Sequence, residues 1–135
     1  MQPTQPKPRP LHVAIVSKNA ETLEGLEAYL RGAGVLTSST RAIARAAELG
    51  ASASALVLFP DDYTWDGAVA ALTKCRTQNP RAPLVLVTRT PQRFEALAGP
   101  DDGALTVVVP KPAWSWTILD AIRAHIDDEP ERESD

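Results

Sequence analysis

The chain has 135 residues, with fourteen Lys plus Arg against seventeen Asp plus Glu and a formal net charge of -3. That length supports one hydrophobic core rather than two, and the slight acidity excludes the broad basic field of a typical nucleic-acid binder. One cysteine, Cys75, excludes an internal disulfide framework, and no apolar run is long enough to span a bilayer. The expectation is a soluble, cytoplasmic domain with no membrane partner and no direct nucleic-acid contact.

Residues 1–10, MQPTQPKPRP, hold four prolines and read as a flexible, solvated leader. LHVAIV then opens a folded domain over residues 11–127 as a short β-branched strand. A helix follows in NAETLEGLEAYLRGAG, where Leu23, Leu26, Leu30 and Ala33 share a face, Asn19 caps the start and Gly32 or Gly34 ends it. The alternation repeats as VLTSS with RAIARAAEL, ALVLF with DGAVAALTKCRTQ, PLVLVT with PQRFEALAG, and LTVVV with SWTILDAIRAHI. Thr90 before Pro91 predicts the start of the fourth helix, and Leu119, Ile122 and Ile126 give the fifth its buried stripe. Residues 128–135, DEPERESD, read as an acidic tail.

Strands such as ALVLF and PLVLV are apolar throughout, as befits a parallel sheet covered by helices on both faces. Five βα units are too few for an eight-fold barrel, so the predicted fold is α/β, an open, doubly wound sheet of five parallel strands. Ligands of such sheets sit at the carboxyl ends of the strands. Those ends hold Ser17, Lys18 and Asn19 after strand one, Pro60, Asp61 and Asp62 after strand three, Thr88, Arg89 and Thr90 after strand four, and Lys111 with Pro112 after strand five.

From Leu11 to Ile126 the sequence resembles a receiver domain of bacterial two-component response regulators. The residues that carry the resemblance are PLVLVT with Thr88, VVVPKP with the Lys111–Pro112 pair, and the apolar spacing of KPAWSWTILDAI. It implies the flavodoxin-like (βα)5 topology of CheY, with strand order 2-1-3-4-5 and a cis bond between Lys111 and Pro112. It also implies phosphoryl transfer to an aspartate at the end of strand three, with Mg²⁺ held by that aspartate and an acidic pair after strand one. Carried over residue by residue, Ser17 and Lys18 stand at the acidic pair and Pro60 at the phosphoacceptor. All three carboxylates are missing, while Thr88 and Lys111 match the family's hydroxyl and lysine. The family's glycine eight positions after its aspartate does not restore the site, because Gly67 lies eight after Phe59, seven after Pro60 and six after Asp61. Arg89 replaces a small residue, and Val108 replaces the aromatic of strand five.

These departures predict a pseudo-receiver that is not an enzyme and needs no metal and no cofactor. The Lys18 ammonium is expected to pair with Asp61 or Asp62 in place of the metal, with Lys111 pairing to the same acids. The function expected is phosphorylation-independent binding of protein partners, a homodimer among the possibilities, through a surface that includes Arg89, Arg93, Trp114 and Trp116. Two alternatives stand beside it: an atypical response regulator phosphorylated at Asp61 or Asp62, and a small-anion sensor built from Lys18, Arg89 and Lys111. His12 and His125 are expected to pack rather than bind metal, and Cys75 to be a passive thiol despite Lys74 and Arg76 beside it. There is no nucleotide-binding glycine motif. Of Trp114 and Trp116, i and i+2 before the last helix, at least one is expected to be exposed as a binding anchor.

Overall fold

The computed structural model describes residues 11–98 and 106–127. The two predicted tails lie outside the described residues. The chain alternates β1 (His12–Val16), α1 (Ala20–Gly32), β2 (Leu36–Thr40), α2 (Ala46–Gly50), β3 (Ala55–Leu58), α3 (Trp65–Gln78), β4 (Leu84–Thr88), α4 (Pro91–Ala98), β5 (Thr106–Pro110) and α5 (Ser115–Asp127). The strands form one parallel sheet in the order β2-β1-β3-β4-β5, as expected.

Side-chain alternation divides the core into two layers. Val13, Ile15, Val57, Val85, Val87 and Val109 face α1 and α5, where Leu23, Leu26, Leu30, Ile118, Leu119 and Ile122 meet them. Ala14, Val16, Leu56, Leu58, Leu84 and Leu86 face the opposite layer, with Ala46 and Ala47 of α2, Ala71 and Cys75 of α3, and Phe94 of α4. The three inner strands are therefore buried on both faces, which is why their sequences are apolar without alternation.

Local signals explain most boundaries. The Asn19 side chain accepts from the amides of Glu21 and Thr22, capping α1 as predicted. Gly34, at φ 86°, closes the same helix: its amide donates to the Arg31 carbonyl and that of Val35 to the Leu30 carbonyl, a Schellman termination. Ala33 is the exposed C-cap rather than part of the buried stripe. Because nothing lies within 4 Å of a Cβ placed at position 34, Gly34→Ala meets only torsional strain. It should lower stability by about 1 kcal/mol in urea titration.

Two segments differ from the sequence reading. RAIARAAEL forms a 3-10 turn at Ile43–Arg45 before a short α2, since alanine gives that segment little apolar area to bury. Helix α3 begins at Trp65, one residue early, because the Thr64 hydroxyl accepts from the Gly67 amide and fixes the cap there. A Cβ at position 67 would approach that hydroxyl to 2.9 Å, so the glycine is matched to the capping threonine.

Candidate functional site at the strand ends

The carboxyl edge is organised around the segment after β3. Strand β3 passes through Phe59 into a 3-10 turn at Pro60–Asp62, with Pro60 buried at its first position. A 3-10 turn has three residues per turn, so successive side chains diverge by about 120°. Two consecutive acids can therefore reach in different directions, and here they do.

Asp61 reaches toward β4. Its Oδ1 accepts from the Thr88 hydroxyl at 2.7 Å, and its Oδ2 accepts from the Arg89 amide at 2.8 Å. Asp62 reaches toward β1, where its Oδ2 accepts from the Ser17 hydroxyl at 2.7 Å and the Lys18 amide at 3.0 Å. The two clamps repeat one design. A hydroxyl residue ending a strand donates to the acid and accepts from the amide two residues on, Asn19 for Ser17 and Thr90 for Thr88. The intervening amide then donates to the same carboxylate. Ser17 and Thr88 are both 0 % exposed, and they are the buried polar residues of the described core. Each acid joins β3 to one of its two sheet neighbours.

This arrangement corrects the expected ion pairs. Neither the Lys18 nor the Lys111 ammonium lies within 4 Å of a described carboxylate; the described ion pairs are Glu27–Arg31 and Arg45–Glu48. Hydroxyls and main-chain amides at the neighbouring strand ends already satisfy the acids, without the entropy cost of ordering a long lysine side chain. The Lys111 Nζ lies instead 5.7 Å from the centroid of the Phe59 ring. Its pocket, about 380 Å³, is lined by Phe59, Leu26, Val87 and Ile118 with Thr22 and Ser115 at its polar side. The Lys111–Pro112 peptide is cis, as the resemblance implied.

Neither Arg89 nor Arg93 lines the pocket of Lys111. Arg89 and Arg93 line a second pocket, of about 280 Å³, with Asp61, Trp65 and Thr90. The Arg93 guanidinium stacks 3.9 Å from the centre of the Trp65 ring, which in turn packs against Phe94 at 5.0 Å. At the edge of the pocket Tyr63 donates its hydroxyl to the Arg41 carbonyl. Burial, reinforced by the Asp62 carboxylate and opposed by Arg41, pushes the Tyr63 phenol up to about 12, so it stays neutral at ordinary pH.

Trp114 and Trp116 are both exposed, at 67 % and 55 %. They precede and begin α5, and neither lines the pocket containing Arg93. Cys75 is buried in the core, and burial pushes its thiol up although Arg76 pulls the other way. That suits an inert thiol. His12 Nε2 lies 2.7 Å from the Ser38 hydroxyl, and the His125 side chain lies outside the described residues. No group of three or more potential metal ligands occurs among the described residues, and no described helix is long and apolar enough to cross a membrane.

Sequence reasoning found every residue of the clamps but not their pairing. The available signal was a hydroxyl residue ending each strand beside β3 and two adjacent acids after β3.

No protein-family model matches the sequence, and neither does any curated protein sequence. Solved structures do match in three dimensions. A response regulator receiver protein from Sinorhizobium medicae superposes with a TM-score of 0.75 at 19 % identity, over 88 % of this chain and 96 % of that one. A CheY-like receiver domain from Methanospirillum hungatei gives 0.74 at 15 % identity, over 93 % and 100 %. An orphan response regulator of H. pylori gives 0.67 at 16 %, over 86 % and 96 %. At these identities the likeness establishes the fold, that of receiver domains.

Proposed function

We propose that this chain is a pseudo-receiver: a domain of bacterial signal transduction that binds a protein partner without being phosphorylated and without enzymatic activity. The observation that carries the reading is the double clamp. The two acids after β3 accept from donors at the ends of β1 and β4, Asp61 through both oxygens and Asp62 through Oδ2, so they brace the strand ends. The metal-binding acids that the resemblance calls for are replaced by Ser17 and Lys18. Phe59 lies beside Lys111 and eight residues before Gly67, so the acceptor position falls to Pro60 or to Phe59. Neither side chain can accept a phosphoryl group. In place of a switch the domain has one braced shape, and the exposed Trp114 and Trp116 offer that shape a binding surface.

Incubation with acetyl phosphate and Mg²⁺ tests the reading directly. Intact mass should be unchanged, and amide NMR signals at Ser17, Asp61 and Thr88 should show no saturable response to millimolar Mg²⁺. A phosphoryl adduct that disappears in Asp61→Asn would establish the phosphorylated alternative instead.

A further inference from the structure

Arg89 and Arg93 share one pocket, yet no described carboxylate lies within 4 Å of either guanidinium. Asp61 lines the same pocket, but both its oxygens are taken by Thr88 and the Arg89 main chain. The pocket therefore holds two positive charges against one negative charge, each of whose oxygens already accepts one hydrogen bond. The contact of Arg93 with the face of the Trp65 ring, 3.9 Å from guanidinium carbon to ring centre, restricts the side chain. A restricted guanidinium loses less freedom on binding than a solvated one. The Thr90 hydroxyl sits 3.3 Å from that of Thr88, whose proton goes to Asp61, so Thr90 is the donor in that contact. The walls are apolar, from Pro60, Trp65 and Phe94, and the pocket's volume of about 280 Å³ exceeds what one small oxyanion needs.

We infer that this pocket binds a phosphomonoester dianion, with Arg89 and Arg93 as its charged donors. Two guanidinium forks suit the terminal oxygens of that group, and a dianion offsets the excess positive charge better than a single carboxylate. The site differs from a convergence of Lys18, Arg89 and Lys111, because Lys111 opens into the other pocket beside Phe59. It also stands apart from the tryptophan surface proposed for partner binding. It requires no covalent step: the phosphoryl group arrives already attached to its carrier or free in solution.

The test is a titration with inorganic phosphate at low ionic strength, read at the indole N–H signal of Trp65 after assignment with Trp114→Phe and Trp116→Phe. A saturable shift with a dissociation constant of about 1 mM is expected from two charge-assisted contacts at an exposed site. Arg89→Ala and Arg93→Ala should each weaken binding at least about tenfold, whereas Lys111→Ala should leave it within about twofold. Arg93→Lys should fall between, since it keeps the charge but loses the fork. Both arginines are exposed, so the amide spectra of these variants should retain the parent's dispersion and report binding rather than folding. Parallel titrations with free phosphoserine and a short phosphoserine peptide separate the sources: about tenfold tighter binding of the peptide assigns the phosphate to a protein, and equal affinity assigns it to a small molecule. No saturable shift up to about 20 mM phosphate, or an affinity unchanged in both alanine variants, overturns the site.

Discussion

Thr88→Val should lower the free energy of unfolding by about 2–3 kcal/mol, a large effect for a change that conserves shape. The hydroxyl is fully buried, donates to a carboxylate and accepts from the Thr90 amide. Hydrogen bonds to charged groups contribute roughly 1.5–3 kcal/mol, and the substitution also leaves an amide without its acceptor. The equivalent change in the other clamp, Ser17→Ala, should cost about as much, because that hydroxyl is equally buried and equally engaged. Lys18→Ala should change stability by no more than about 0.5 kcal/mol, since only the main chain of that residue enters the clamp. Urea titration of the three variants decides the matter. If Lys18→Ala proves the costliest of them, the acids are held by an ammonium after all.

The second large effect concerns association. With a second copy of the domain as the partner, replacing both Trp114 and Trp116 with alanine should weaken association at least about thirtyfold, since truncating a central aromatic anchor typically costs about 2 kcal/mol or more. The thermal midpoint should stay within about 2 °C of the parent value, because side chains 67 % and 55 % exposed contribute little to the monomer's core. Arg93, named with these tryptophans in the expected surface, lies over Trp65 and lines a pocket that neither Trp114 nor Trp116 lines. Sedimentation of parent and double variant over a range of concentrations is the measurement. A parent that remains monomeric at millimolar concentration, or a variant that associates as tightly, removes the tryptophans from that role.

The sheet and its order were legible because the physics that forms them is periodic and local. Fully apolar strands such as ALVLF can only be buried on both faces, and Asn19 and Gly34 mark the ends of α1 through side-chain and torsional preferences that neighbours scarcely alter. The clamps were harder to see. Ser17, Asp62, Thr88 and Asp61 are far apart in sequence, and pairing them required knowing that Pro60–Asp62 forms a 3-10 turn that sends adjacent acids toward opposite neighbours. A search for charge complementarity favoured Lys18, because formal charges are visible in a sequence whereas main-chain amides are common to nearly every residue. The nearness of Arg93 to Trp65, twenty-eight residues earlier, is likewise a tertiary fact that no local pattern carries.

The clamps also bear on how such a domain would be governed. A receiver that is phosphorylated carries a record of its recent past, kept until the modification is removed. On the reading proposed above, a domain whose strand ends are tied by Ser17, Thr88 and two carboxylates would keep no such record. Its occupancy by a partner would follow the abundance of the two molecules from moment to moment, by mass action. Control would then belong to synthesis and turnover rather than to a kinase, with a response time set by the lifetime of the polypeptide.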